Sequence, residues 1–219
     1  MMIEKITKRI GRIIKVRPEY EERYIIIHKH VWPGVLDRIR KSSIRNYSIF
    51  LLDGILFSIN EYVGYDYDTD MKAVADDITK DWWKLTDPMQ EPLPKNKEGE
   101  WWTEAEQIQH FAENAKNYSE VKRFAYAAEI KPESESYIKE LFNRFDQTFI
   151  PLFKKAKIQN HNTFLFGNKL YVYLEYAGFD FAKDDTELNN NSDLDKWNKE
   201  LERQLKISWK EMKEVFHTD

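Results

Sequence analysis

Charged and apolar residues alternate through residues 8–17, "KRIGRIIKVR", with the two-residue period of a strand that buries one face. The run ends at Pro18, and a proline with no N–H to donate suits the first turn of a helix. That helix is predicted to continue to about residue 41. Two further strand-like runs flank Asp53-Gly54, a dipeptide typical of tight hairpins. A second helix is predicted over 70–85 and a closing strand over 104–111. The series is then met again: a strand over 121–131 ending at Pro132, a helix to about 156, a hairpin at Gly167-Asn168, a helix over 192–207 and a strand over 211–217.

The second series is a copy of the first. Residues 44–64, "IRNYSIFLLDGILFSINEYVG", align without a gap on 158–178, "IQNHNTFLFGNKLYVYLEYAG", at an offset of 114. The same offset sets "KRI" from Lys8 on "KRF" from Lys122, Pro18 on Pro132, and "DWW" from Asp81 on "DKW" from Asp195. The chain therefore reads as two copies of one unit, 1–112 and 117–219, with "ENAKNYS" as the polar connector. The order β-α-β-β-α-β is that of a ferredoxin-like unit, an α+β fold with helices on one face of an antiparallel sheet. Its other face needs a cover, and the tandem copy supplies one. The expectation is two ferredoxin-like units packed sheet to sheet as an intrachain dimeric α/β barrel.

Composition narrows the chemistry. Cysteine is absent, which removes disulfides, thiolate catalysis and Cys-rich zinc modules. The net charge of −4 comes from interspersed acids and bases, so neither a nucleic-acid footprint nor a cationic membrane face stands out. The first residues are broken by charges and do not read as a secretory signal, and the expected location is cytoplasmic. Aromatics make up 15% of the chain, with 7 Trp and 12 Tyr, and such polar-tipped rings are surfaces against which sugars lie.

Within the first predicted helix, Tyr24, His28 and Trp32 recur every four residues and are expected to form one stripe, while His30 points elsewhere. Strand residue Tyr47 and the pair Trp82 and Trp83 complete the candidate set. The segment "YIIIHKHVWPGVL" resembles the Y-x-x-x-H-x-x-x-W-P signature of the L-rhamnose mutarotase family. "NYSIFL" and "DWWKLTDPM" resemble its next two blocks in order and spacing, so the likeness spans nearly all of the first copy. The resemblance implies that His28 is the proton donor and that Tyr24, Tyr47, Trp82 and Trp83 line the sugar site. Lys29 and His30 depart from the Asn-Pro more usual between the histidine and the Trp-Pro.

The residue types suit that chemistry independently. Exchanging anomers requires a proton delivered to the pyranose ring oxygen and one removed from the anomeric hydroxyl, a task for an imidazole and one that needs no metal or nucleotide. Tyrosines can hydrogen-bond sugar hydroxyls, and Trp faces can cover the apolar side of a 6-deoxy sugar. In the second copy the constant offset replaces Tyr24 by Ile138, His28 by Phe142, Trp32 by Asp146, Tyr47 by His161 and Trp82 by Lys196, leaving Trp197 opposite Trp83. Aligning Pro33 with Pro151 restores no histidine either. Residues needed only for packing should survive in both copies, and the polar rings do not. The expectation is one active site, in the first copy, with the second kept for its sheet.

Other features read as structural. His30, His110 and His217 are taken as packing or hydrogen-bonding groups, and His161 is left between that role and a vestige of the site. "YDYDTD" lacks the Gly and Glu of a calcium loop, having Met71 and Asp77 there, and reads as a helix N-cap. "TDPMQEPLPKNKEGEWW" reads equally as a flap over the sugar or a passive loop, and "KDDTELNNNSD" as a solvated loop. The expected partner is a monosaccharide, with no cofactor, metal, nucleic acid or membrane, and with homo-oligomerisation beyond the intrachain pair left open. Two rivals remain: a non-catalytic carbohydrate-binding or sensing protein, and a monooxygenase-type barrel.

Overall fold

The computed structural model describes residues 5–94, 100–112 and 121–219, apart from the side chains of residues 146–148. The connector "ENAKNYS" and part of the segment read as a flap lie outside the described residues. The chain divides into two compact units, Met1–Ala105 with Lys213–Asp219, and Glu106–Met212. No helix among the described residues is long and apolar enough to cross a membrane.

In the first unit, β1 (Lys8–Val16) is followed by a turn of 3₁₀ helix at Pro18–Tyr20, then α1 (Glu21–His28) and α2 (Pro33–Lys41). The hairpin β2 (Ile44–Leu52) and β3 (Ile55–Tyr62) leads to α3 (Tyr67–Val74) and α4 (Asp77–Thr86), a short β4 (Gln90–Glu91) and β5 (Thr103–Ala112). The second unit repeats this with β6 (Lys122–Ile130), α5 (Glu135–Asn143), α6 (Phe145–Lys155), β7 (Ile158–Phe166), β8 (Lys169–Tyr176), α7 (Phe181–Asn189), α8 (Ser192–Glu202) and β9 (Leu205–Thr218).

The first unit's sheet runs β5–β1–β3–β2, with Lys213–Thr218 of β9 added antiparallel beside β2. The second unit's runs β9–β6–β8–β7, with Glu106–Ala112 of β5 added beside β7. Fourth, first, third, second is the ferredoxin-like strand order, so each unit is α+β and ferredoxin-like. The compact units are not the two sequence copies laid end to end. The last strand of each copy is long enough to serve two sheets along its length: Thr103–Ala105 of β5 pair with β1 and the remainder with β7.

Three of the four predicted helices are in fact two each. Pro33 cannot donate into a helix and pushes the residue before it, Trp32, into extended backbone (φ −60°, ψ 136°), so α1 stops at His28 and α2 starts afresh. The predicted helix over 70–85 is split at Ala75 because Asp76 caps a new one, its carboxylate accepting from Thr79 N at 2.9 Å. Asp66 caps α3 in the same way, through Thr69 N. The acidic segment expected to be a solvated loop is largely α7, capped by Asp180. The predicted helix over 192–207 ends at Glu202, and β9 occupies the rest.

One clamp recurs. Tyr62 donates its hydroxyl to Asp70 and Tyr176 donates to Asp184, each at 2.6 Å, tying the end of a central strand to the following helix. In both units the tyrosine ring lies across a glycine two residues on, Gly64 or Gly178, where any Cβ would collide with the phenol. Gly167 differs: its backbone is left-handed (φ 57°), with open space around it. Gly178→Ala is expected to cost about 2–3 kcal/mol through steric overpacking, and Gly167→Ala about 1 kcal/mol through backbone strain. Urea denaturation of the two variants checks the ranking; the reverse order would contradict the packing account.

Candidate active site

The chemistry-bearing residues of the first unit meet around a cavity of about 380 Å³, every lining residue of which belongs to that unit. β1 brings Arg12, α1 brings Tyr24 and His28, the β2–β3 hairpin brings Tyr47 and Asn60, and α4 brings Thr79, Trp82 and Trp83. The segment after α4 adds Asp87, Gln90, Trp101 and Trp102, and β9 adds Phe216.

Helix α1 carries Glu21 and Glu22 at its positive end, and its two buried residues are Tyr24 and His28, one turn apart. Their rings stack with centroids 3.9 Å apart and planes 25° from parallel. His28 Nδ1 donates to the Tyr24 carbonyl at 2.9 Å. A carbonyl only accepts, so the neutral ring carries its proton on Nδ1 and leaves Nε2 as a lone pair. Among the described residues Nε2 has no hydrogen-bond partner, and it is not sealed from the cavity. Burial lowers the His28 pKa to about 4, against which the Tyr24 carbonyl works, so the imidazole is neutral at pH 7. Trp82 and Phe216 meet the imidazole edge-on at 5.5 and 6.1 Å.

Tyr47 reaches the cavity through a bulge. The β2–β3 register passes from Arg45↔Glu61 to Ser48↔Ile59, so Asn46 and Tyr47 together oppose Asn60, and Asn46 takes left-handed backbone (φ 50°). Enclosure raises the Tyr47 pKa to about 12, with Arg12 pulling the other way, and burial holds Tyr24 well above its ordinary value. Both phenols are protonated at neutral pH. Gln90 Nε2 donates to the Tyr24 hydroxyl oxygen at 3.2 Å, and Trp101 Nε1 donates to Gln90 Oε1 at 3.0 Å. The Tyr24 oxygen is thus held by Gln90 while its own proton remains available to donate.

Asp87 is the one carboxylate in the lining, and burial raises its pKa. Arg12 is turned toward the start of α3, donating to the Tyr67 hydroxyl at 2.6 Å, with Glu104 of β5 at 3.7 Å. Asn60 Oδ1 and Thr79 Oγ1 are buried in the lining with no hydrogen-bond partner among the described residues. An imidazole lone pair, two phenol hydroxyls and indole walls around one cavity suit a small polyhydroxylated molecule with an apolar side.

Of the six residues singled out in the sequence, Tyr24, His28, Tyr47, Trp82 and Trp83 line this cavity and Trp32 does not. Trp32 lies beyond the end of α1, 40% exposed, with its ring edge-on to Trp82 at 5.5 Å. Placing it on one stripe with Tyr24 and His28 assumed an unbroken helix, and Pro33 breaks it. Asn60, Thr79, Asp87, Gln90, Trp101 and Trp102 were not foreseen. The last four lie in or beside the segment considered as a flap, whose length and two tryptophans were the available signal.

The second unit carries Ile138 and Phe142 at the places of Tyr24 and His28, both buried. Its tryptophan needs a correction. Trp197 meets Phe142 edge-on at 5.1 Å, as Trp82 meets His28, and it shares the buried face of α8 with Leu194 and Leu201 as Trp82 does that of α4 with Thr79 and Thr86. α7 is one residue longer than α3, so the offset shifts by one and Trp197 stands for Trp82, not Trp83.

A sequence model of the L-rhamnose mutarotase family matches residues 9–111. The L-rhamnose mutarotase of Tolumonas auensis is 32% identical over 85 residues, 38% of this chain and 78% of that protein. That of Lactiplantibacillus plantarum is 32% identical over 90 residues, 40% of this chain and 85% of that protein. Among solved structures, a putative monooxygenase from Lactobacillus acidophilus superposes with a TM-score of 0.60 at 10% identity, covering 96% of this chain and 95% of that one. Another from Fusobacterium nucleatum gives 0.59 at 12% identity, covering 96% and 93%. At such identities the two structures bear on fold alone.

The lowered pKa of His28 carries a stability signature. The unfolded chain binds a proton near pH 6.5 and the folded one only near pH 4, so stability drains away as pH falls between those values. Between pH 7 and 5, His28→Phe is expected to lose about 2 kcal/mol less than the unmodified protein. Urea midpoints at the two pH values check this, and equal losses would show that the imidazole is not desolvated.

Proposed function

This chain belongs to the L-rhamnose mutarotase family, and from that membership we propose that its first unit interconverts the α and β anomers of a 6-deoxyhexose, L-rhamnose foremost. The observation that carries the reading is His28 Nε2: a lone pair of assigned tautomer, open to a cavity that two phenols and indole rings also line. A general base at neutral pH must be unprotonated and within reach of its proton, and the burial of His28 keeps it so.

The sugar lies with its apolar side and methyl group against Trp82 and Trp83 and its hydroxyls toward Tyr47. Nε2 takes the proton of the anomeric hydroxyl. The C1–O1 bond becomes a carbonyl, the bond from C1 to the ring oxygen breaks, and its electron pair stays on the ring oxygen. The Tyr24 hydroxyl donates a hydrogen bond to that oxygen as charge develops, and the imidazolium gives it the proton. Rotation about C1–C2 presents the other carbonyl face, and the same steps in reverse close the ring as the opposite anomer. The protons balance within each turnover, since the imidazole returns what it takes.

A non-catalytic sugar-binding protein would share the cavity and differ in showing saturable binding without exchange. The monooxygenase alternative is supported by likeness of fold only.

Saturation-transfer NMR of the anomeric protons distinguishes these. The unmodified protein is expected to accelerate α/β exchange of L-rhamnose, and His28→Ala to lose about 10²–10⁴-fold, the usual worth of a positioned acid–base. The base is lost only when His28 is protonated, so the rate should hold steady from pH 8 down to 5 and fall to half near pH 4. Equal rates for the two proteins would remove His28 from the chemistry, and a midpoint at 6.5 would show that its imidazole is not desolvated.

A further inference from the structure

The second unit carries a cavity of its own, about 330 Å³, every lining residue of which belongs to that unit. Its walls are rings: Phe142, Phe145, Phe153, Trp197 and Trp209. Asn189, exposed, and Asn198, half-buried, line the cavity and are hydrogen-bonded to each other at 3.1 Å, which gives an apolar interior a polar rim.

Into this apolar interior comes the buried imidazole of His161, which is 7% exposed, beside the half-buried Tyr126. Its Nδ1 lies 2.8 Å from Gln109 Oε1, an oxygen that also accepts from the Thr163 hydroxyl at 3.4 Å. An amide oxygen accepts and cannot donate, so Nδ1 carries the proton and Nε2 is a bare acceptor. Phe145 stacks on one face of the imidazole at 5.4 Å and 18°, and Phe153 meets it edge-on at 5.1 Å, so the ring is held in place from two sides. Among the described residues Nε2 has no partner, and it is not sealed off.

We propose that this cavity is a second ligand site, for a small planar aromatic molecule bearing one hydrogen-bond donor, of the phenol class, whose hydroxyl is received by His161 Nε2. The shape and polarity select the class. A sugar spreads hydroxyls around its ring and needs as many partners, whereas among the described residues His161 is the one polar side chain buried in this lining, Tyr126 and Asp185 being half-buried. A hydrocarbon fills the space and leaves Nε2 unpaired. A phenol places its ring among the phenylalanines and its single O–H on the single lone pair, leaving no buried group unsatisfied. The second copy then owes its loss of the Tyr24 and His28 equivalents to Ile138 and Phe142 to a change of ligand, and the side chain matching Tyr47 is the one that reads it.

Titrations on the full-length protein use phenol and toluene, which match in shape and differ in the donor. Phenol is expected to bind saturably and to move the His161 Nε2 resonance in a ¹⁵N-imidazole spectrum of the unmodified protein; toluene should leave it in place. His161→Phe keeps the aromatic stack and removes the acceptor, and should weaken phenol about tenfold while leaving toluene within twofold. Absence of saturable phenol binding, or an unmoved Nε2 resonance on its addition, overturns the proposal whether or not the variant folds. So does undiminished phenol affinity in His161→Phe.

Discussion

A histidine that donates Nδ1–H to the main-chain carbonyl one helical turn behind it has a single tautomer and a single direction. His28 makes that bond to Tyr24, and the same four-residue spacing stacks the two rings. Everything at the first unit's cavity follows from this geometry. The proton is parked on the helix side, so the lone pair looks into the cavity. The phenol is pinned against the imidazole, so Gln90 can hold its oxygen and leave its proton free. Burial then sets the charge, since the pair lies too deep for an imidazolium to be hydrated in the resting protein.

The second unit solves the same local problem with different parts. His161 is oriented by Gln109 from a neighbouring strand instead of by its own helix, and Phe145 takes the stacking place that Tyr24 has for His28. Both imidazoles are buried, both have their pKa lowered to about 4, and both leave Nε2 unpaired among the described residues. Duplicated units usually relax where function is lost, filling cavities with larger apolar side chains. Here Phe142 fills the place of His28, yet a cavity remains and a polar ring still faces it. Retention of an orphaned acceptor in an apolar wall costs stability, and such a cost persists where the group is used.

The fold was legible because its signals are local and repeated. Strand alternation, the Pro after β1 and the two-residue hairpins each depend on a few adjacent residues, and the 114-residue offset checked every assignment against a second copy. Five of the six candidate residues come to line one cavity for a related reason, since their motif lies on short elements of known period. The misreadings were failures of continuity. A helix was carried through Trp32 into Pro33, and an offset through the one-residue lengthening of α7, because neither event disturbs the apolar pattern. Asn60, Thr79 and Gln90 are different. They matter because an oxygen is stranded or a phenol is within reach after the chain has folded, and no spacing announces that. Even Tyr47 is aimed by the left-handed backbone of Asn46 inside a bulge, which its sequence neighbours do not declare.

A pKa near 4 sits below the value that best serves proton transfer at neutral pH, and the proposed mutarotation cycle explains why that is tolerable. In that proposal each turnover uses the imidazole once as base and once as acid. Lowering the pKa weakens the first step and strengthens the second by the same amount, so the two effects oppose across the open-chain intermediate. What must be made up is the uphill formation of an imidazolium beside an oxyanion, and the cavity is arranged for that moment. The Tyr24 and Tyr47 hydroxyls are protonated, the pair of opposite charges forms at close range out of bulk water, and the Trp82 and Phe216 edges meet the imidazole. Low polarity that penalises a lone imidazolium in the empty cavity favours an imidazolium paired with an oxyanion relative to its separated parts. The depressed resting pKa and the proposed catalytic use of the same ring are thus two consequences of one burial.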